Sequence, residues 1–505
     1  MFKPVSWQSH AEYRTNFKNL KAKMDSSGRL DLCDYMGIRT KLLSLNLDSV
    51  GEYVERYYSV AGRPAINQAQ ILRSFILFAF LLNVTPARLS LTKWVREVLP
   101  GSDAFIALIG CSCKEDLPPL GSYYDFMNRF WLGDRSLFAR NALLPAGKNS
   151  KPKKKLGSDG KLVSEEKEDR ETPTREAANL ILSGKAPAPN PEAALQDILT
   201  LAAVIPSVNA GLINAEGLTL SGDGTALHAH ASPYGRRTTT CDNPECPFHS
   251  SCPRHYSDPD AEWSWDCGQN DWFFGHSLYM LCCRNSDLKV ELPLTFKLTN
   301  AKRHDSLNFL YAIDDFGRHC LGLSPENICL DSAHDNMPTY ELLEHWGINA
   351  LIDINGRSKH SPSAPDDISF DKDAIPHCRG GFAMTPWGYE SGRNAHKYRC
   401  PLKCGRMDSC PHEKECSPGK FGRTVYVKNK SDLRFFPRIP RGTEEYRKIY
   451  SERTACERLN DRVLNDYFLQ SMMVRGRDHL SFWSMVICIC IHLDARLKTE
   501  TLSAA

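Results

Sequence analysis

Three carboxylates far apart along the chain, Asp223, Asp331 and Glu457, have the most chemistry to offer. Asp223 closes the alternating run Leu218-Thr219-Leu220-Ser221-Gly222, and Asp331 closes Ile328-Cys329-Leu330, so each is expected at the end of a β-strand. Glu457 ends the series Tyr450, Arg453, Glu457, spaced i, i+3 and i+7. On a helix that spacing lines up an aromatic hydroxyl, a guanidinium and a carboxylate on one face. A carboxylate beside an arginine on a helix is by itself an ordinary solvated ion pair. A lone aspartate at a strand end is an ordinary turn residue. Brought together on one sheet edge, the three repel one another unless cations neutralise them, and their hard oxygens favour Mg²⁺ or Mn²⁺. Two such ions about 4 Å apart activate a water or a 3′-hydroxyl and stabilise the leaving oxygen of a phosphodiester.

A second chemistry lies in the cysteines. Cys241-x4-Cys246-x5-Cys252 is followed by His255, with His249 inside the run and Cys267 beyond it. Cys400-x3-Cys404-x5-Cys410-x5-Cys416 contains His412 as a spare. Thiolates and imidazoles at these turn-forming spacings suit tetrahedral Zn²⁺. The expected ligands are Cys241, Cys246, Cys252 and His255 for the first site, and Cys400, Cys404, Cys410 and Cys416 for the second. Neither stretch holds enough apolar residues for a core of its own, and a structural zinc supplies roughly 10 kcal/mol or more toward ordering such a segment. Lys397, Arg399, Lys403, Arg406, Lys414 and Lys420 give the second cluster a basic setting that suits DNA phosphate and suits a solvated rim equally.

The elements that must position these groups follow from periodicity. The N-terminal stretch reads as helices, among them the apolar run Ile71–Leu82 with one internal charge at Arg73, a further helix from Pro86 through Val98, and another from Gly121 through Trp131. Residues 145–178, with Lys151, Lys153, Lys154 and Lys155, have linker composition. From Gly217 the period becomes two. Strands are expected at 218–223, 277–283, 289–299, 328–331 and 350–354, with helices after Asn300 and from Pro338. Three strands, a helix, a strand, a helix and a strand make a mixed α/β sheet of RNase H-like order flanked by helices. Residues 356–436, rich in Pro, Gly, Lys and Cys, interrupt that order as an insertion, and the apolar helix 480–497 closes the chain.

Composition sets the bounds. A chain of 505 residues is too long for one ordinary core. A net charge of +3 neither demands nor excludes a nucleic-acid partner, because a basic face can hide in a balanced total. Met1–Lys23 is polar and mixed in charge, so no signal peptide is expected, and the 19 cysteines are expected as reduced thiols or metal ligands. The apolar runs Phe75–Val84 and Leu480–Leu493 are too short to span a bilayer, and the second carries His492, so both are expected as buried helices.

With Gly222-Asp223-Gly224-Thr225, Leu330-Asp331-Ser332-Ala333-His334-Asp335-Asn336 and Tyr450-x2-Arg453-x3-Glu457 in this order, the sequence resembles the DDE transposases of bacterial insertion sequences. The resembling subgroup carries its last acid in a Tyr-x2-Arg-x3-Glu signature. Gly62-Arg63-Pro64 before an apolar helix resembles that group's helical N-terminal domain. The resemblance implies that Asp223, Asp331 and Glu457 are the metal-binding catalytic triad. It implies that Tyr450 and Arg453, with Arg458, contact the transposon end, and that the partners are double-stranded DNA ends and target, held by a homodimer, in the cytoplasm at the nucleoid. Two departures stand out. His334 occupies a position that is usually aromatic, and Leu464 stands where a lysine usual to the pattern would be, leaving Arg458 or Arg462 to supply the charge. The implied layout is a helical DNA-binding or dimerisation domain (1–142), a linker (143–190), a first catalytic part (191–355) with a Cys/His insertion (236–268), the four-cysteine zinc insertion (356–436) and a second catalytic part (437–505). The competing readings are an RNase H-like nuclease without strand transfer and a domesticated zinc-bearing DNA-binding protein without catalysis.

Overall fold

The computed structural model describes residues 4–25, 35–82, 90–135, 144, 171–237, 252–266, 268–356, 367–371, 373–416, 419–428 and 432–504. Its centre is a six-stranded mixed sheet. The strands are β1 (Leu218–His228), β2 (Glu262–Asp266), β3 (Asp271–Asn285), β4 (Val290–Asn300), β5 (Pro325–Leu330) and β6 (Asn349–Ile352). β1 pairs antiparallel with β3, and β3 with β4, which is the expected meander. β5 then pairs parallel with the other side of β1, and β6 parallel with β5. Parallel neighbours require crossovers. These are supplied by α3 (Asp305–His319) before β5 and α4 (Met337–Trp346) before β6.

The strands run longer than their sequence signals. β3 extends back to Asp271, where its first residues pair with β2, a strand that periodicity did not reveal. A second helix, α2 (Glu171–Leu182), begins inside the stretch with linker composition. It buries Ala177, Ala178 and Ile181 and packs on α3 and α4. The expected helix from Pro86 falls partly on residues outside those described, and its described portion is Leu91–Lys93 running on into Trp94–Val98.

The N-terminal helices and the sheet share one apolar core. In α1 (Gln68–Leu82) every residue from Gln68 to Leu81 is buried. Phe75 meets Phe482 and Trp483 edge-on at 4.8 and 5.4 Å. Those two residues belong to α7 (Arg477–Ala504), which lies between α1 and β4. The stretch Arg477–Thr499 of α7 is long and apolar enough to cross a bilayer, longer than the run Leu480–Leu493 suggested, but 83% of its most apolar window is buried inside the protein. It is a core helix. His492 is fully buried and bonded on both nitrogens, to Ser207 Oγ (2.8 Å) and Pro293 O (2.8 Å). Burial pushes its imidazole down to about 4.

The insertion corrects one expectation. It forms a three-stranded antiparallel sheet of β7 (Thr385–Glu390), β8 (Ala395–Arg399) and β9 (Thr424–Lys428), beside a short pair at Ser369–Phe370 and Pro376–His377. Under it lies a small apolar core of its own, including Ile368, Met384, Tyr398, Val425, Phe435 and Phe436. The apolar residues are spread over the whole segment, with few near the cysteines, so a local reading undercounts them. Two arginines fasten this unit to the main sheet. Arg434 grips the buried Asp335 with Nε at 2.7 Å and Nη2 at 2.5 Å. Arg441 donates to Ile352 O (2.7 and 3.0 Å) and to Tyr340 Oη (3.0 Å). Removing one partner of a buried ion pair strands the other charge, so Arg434→Ala should cost roughly 3–5 kcal/mol. A urea midpoint unchanged from the parent protein would show that the pair does not hold the insertion in place.

Candidate active site

Parallel pairing fixes the relation between the two aspartates. Leu220 lies opposite Ile328 and Ser221 opposite Cys329. Two residues further on, Asp223 and Asp331 therefore reach the same level, Asp331 just past the end of β5 and Asp223 midway along β1. β1 does not end there as expected but stays paired with β3 as far as His228. Glycines flank Asp223 for steric reasons. A Cβ at Gly222 would lie 2.6 Å from Tyr279 Oη and 2.9 Å from a Leu330 methyl, and one at Gly224 would run into the Asp305 carboxylate.

Asp331 caps the 3₁₀ turn Ser332–His334, accepting from Ala333 N at 3.0 Å. Its Oδ1 also lies 2.6 Å from His334 Nδ1. His334 is fully buried, and its Nε2 lies 2.9 Å from Tyr279 Oη. Facing a carboxylate, Nδ1 must carry a proton. Burial opposes charge on the imidazole, but the Asp331 hydrogen bond and charge win and raise His334. Burial also opposes charge on Asp331, and the same bond and charge from His334 outweigh it and hold the carboxyl below its usual range. His334, which departs from the aromatic usual at this position, thus orients Asp331.

Asp223 has weaker support: Gly224 N at 2.9 Å and Asn460 Nδ2 at 3.3 Å. Burial first, then the charges of Asp305 and Asp331 and, after His334 opposes them, Glu457, push Asp223 up to about 7. Asp305, at the start of α3, is raised by the same burial.

The third element arrives differently from the expected single helix. Helix α5 (Glu444–Tyr450) passes through a tighter turn, Ser451–Arg453, into α6 (Thr454–Asp461). Four bonds clamp this series to the strands: Tyr450 Oη to Leu330 O (3.1 Å), Cys329 Sγ to Ile449 O (3.4 Å), Ser221 Oγ to Glu452 O (2.8 Å) and Cys456 Sγ to Met280 O (3.4 Å). Tyr450 consequently turns inward against β5, while Arg453 pairs with the exposed Glu457 at 2.7 Å. Arg458 pairs with Glu291 on β4 (2.8 Å), Arg462 with Asp494 (3.0 Å), and Leu464 packs on the core.

The fold therefore brings Asp223, Asp331 and Glu457 within electrostatic reach at one sheet edge. Among the described residues, no three His, Cys, Asp or Glu side chains stand close enough to share an ion. Asp223 and Asp331 suit a hard cation: both are acceptor-only when ionised, and a cation would offset the burial and carboxylate repulsion that raise Asp223. Arg453 holds Glu457 through Oε1 alone. Sequence reasoning missed Asp305, Asn460 and Tyr279. Asn460 had a usable signal, three residues beyond Glu457 on the same helix. Asp305 stands at the start of the helix expected after Asn300, where an aspartate is an ordinary residue.

Of the first cysteine cluster, Cys241, Cys246, His249 and Cys267 lie outside the described residues. Cys252 and His255 are described, with His255 in a two-residue strand pairing Arg236–Arg237. In the second cluster Cys400, Cys410 and Cys416 wall one small cavity, and Cys404 does not.

A family model for the transposase DDE domain matches residues 223–493. That span runs from the first aspartate into α7 and covers more than half of the chain. No curated protein matches the chain.

The electrostatics can be tested in two ways. An aspartate raised from 3.8 to about 7 binds its proton more tightly folded than unfolded, so the metal-free protein loses stability as pH rises from about 4 to 7. Asp223→Asn removes that penalty, and each tenfold change in proton affinity is worth about 1.4 kcal/mol. The melting temperature of metal-free Asp223→Asn should exceed that of the parent at pH 8, with the gap closing toward pH 4. His334→Phe keeps the ring volume but removes the donor to Asp331, and should raise the Mg²⁺ concentration for half-maximal DNA cleavage about tenfold. His334→Asn, which retains an N–H donor, should recover most of that loss.

Proposed function

We propose, from the premise that the chain belongs to the transposase DDE-domain family, that Asp223, Asp331 and Glu457 form a divalent-ion-dependent centre that cleaves transposon ends and joins them to target DNA. The observation that carries this reading is the register of β1 on β5. It sets Asp223 beside Asp331 at a buried sheet edge that Glu457 also overlooks. The strand order, an antiparallel three-strand meander followed by two parallel strands reached through helices, supports an RNase H-like core.

Mg²⁺ or Mn²⁺, when bound, would supply activation of a water or 3′-hydroxyl and neutralisation of charge on the leaving oxygen. The remaining work falls to side chains of this protein. His334 and Ala333 N both hold Oδ1 of Asp331, and Gly224 N and Asn460 hold one oxygen each of Asp223, so both carboxylates are oriented and keep lone pairs to offer. Glu457 exchanges its partner Arg453 for the site, and the freed guanidinium can take a DNA phosphate bidentately. Tyr450, braced on Leu330 O, keeps its ring beside Arg453, whose guanidinium lies 5.9 Å from the ring centre. Arg458 extends this basic edge toward β4. The Tyr-x2-Arg-x3-Glu subgroup, duplex ends with terminal inverted repeats, a homodimer pairing two ends and a place at the nucleoid belong to the same proposal. So do the domain limits 1–142, 143–190, 191–355, 356–436 and 437–505.

One observation favours a narrower reading, an RNase H-like nuclease that cuts without joining. Leu464, half-buried against the core, stands where a lysine is usual in the resembling pattern, and both candidate substitutes, Arg458 and Arg462, are already in ion pairs. A single assay addresses both. Purified protein with Mg²⁺ and a labelled duplex bearing the element's terminal repeat should yield 3′-hydroxyl ends and then strand-transfer products. Asp331→Asn should lose at least a thousandfold in cleavage while retaining DNA binding. Undiminished cleavage by that variant would falsify the triad, and cleavage by the parent without joined product would favour the nuclease.

A further inference from the structure

We propose that the insertion holds a structural zinc ion on Cys378, Cys400, Cys410 and Cys416, with Cys378 taking the place that spacing gave to Cys404. The four residues wall one cavity of about 20 Å³, together with His412, Gly380, Phe382 and Gly422. That volume accommodates an ion and little else. Cys404 is absent from the wall.

Local backbone explains the selection. Cys378 starts a tight turn, its carbonyl accepting from Gly381 N (2.7 Å) and its amide bonding to Phe382 O (3.0 Å). Cys400 ends β8, with its amide bonded to Arg423 O (2.9 Å) beside the start of β9. Cys404 leaves Cys400 by a helical turn, Cys404 N to Cys400 O at 3.1 Å. Cys416 follows His412 by the same kind of turn (2.9 Å). Glycine is required where the chain passes the thiols: a Cβ at Gly422 would lie 2.6 Å from Cys400 Cβ and 3.2 Å from its Sγ, and one at Gly380 would lie 3.2 Å from the His412 ring.

All four cysteines are free thiols. Among the described residues no three His, Cys, Asp or Glu side chains stand close enough to share an ion, so the thiols must close on the metal as it binds. Ligation requires four deprotonated sulfurs at about 2.3 Å from a tetrahedral Zn²⁺. Loss of four thiol protons to solvent accompanies binding, with no oxidation. The ligands tie the turn after Pro376–His377 to the end of β8 and to the Cys410–Cys416 loop. These three segments are joined otherwise by a small apolar core and the Lys403–Glu413 ion pair (2.6 Å). The carboxylate site plays no part in this, so a failed cleavage assay leaves the proposal intact.

Metal analysis of the full-length protein, purified with zinc and dialysed, decides it. Cys378→Ser should lose one equivalent of zinc relative to the parent, and Cys404→Ser should lose none. The reverse pattern, equal zinc in both variants or a zinc-free parent would overturn the assignment. Should Cys378→Ser fail to fold, timed alkylation of the parent with and without chelator, mapped by mass spectrometry, gives the answer independently. Zinc should protect Cys378 and leave Cys404 reactive, and early alkylation of Cys378 in the zinc-loaded protein would sink the proposal.

Discussion

The register of one parallel strand pair governs this molecule. Ser221 opposite Cys329 places two carboxylates side by side where their charges are least welcome, at a buried sheet edge with a third acid, Asp305, alongside. Everything around the edge answers that repulsion. His334 lends a donor and partial positive charge to Asp331, Asn460 and a backbone amide support Asp223, and Arg453 occupies Glu457. The support is unequal, and the inequality matters. Asp331 is held below the usual carboxylate range while Asp223 is driven well above it.

The same edge is where the rest of the chain attaches. Asp335, a few residues past Asp331, is the buried anchor for Arg434, and Ile352 at the end of β6 accepts from Arg441. The insertion between β6 and α5 is therefore fastened to the turn that carries Asp331 and does not hang from it loosely. Helices α5 and α6 are clamped to β1, β3 and β5 by four side-chain bonds to backbone carbonyls. Both attachments bear on the elements that carry Asp331 and Glu457. The N-terminal helices join through α7, whose aromatic contacts with α1 continue the core that lies under β4.

Much of this was legible in the residues themselves. Alternation gave five strands and their order, since a half-buried strand writes its faces into a period of two. The spacing of Asp223, Asp331 and Glu457 singled out acids that the fold brings within electrostatic reach of one another, although β1 runs on past Asp223. Helix α2 was hidden because its exposed face is as polar as a linker, and β2 because it is short and lies beside a stretch rich in Cys and His.

Contacts set by long-range pairing could not be read this way. Spacing chose Cys404 because it lies near its fellows in sequence, whereas the turn at Cys378 is brought to the cavity by strand pairing that leaves no mark on neighbouring residues. His334 looked like a departure from an aromatic pattern. Only its position between Tyr279 on β3 and Asp331 after β5 makes it a hydrogen-bonding link. Local sequence fixes backbone periodicity, because propensity and burial act over a few residues. Which side chains meet, and how strongly their charges shift one another, depends on register and packing between segments hundreds of residues apart, and that is settled when the whole core closes.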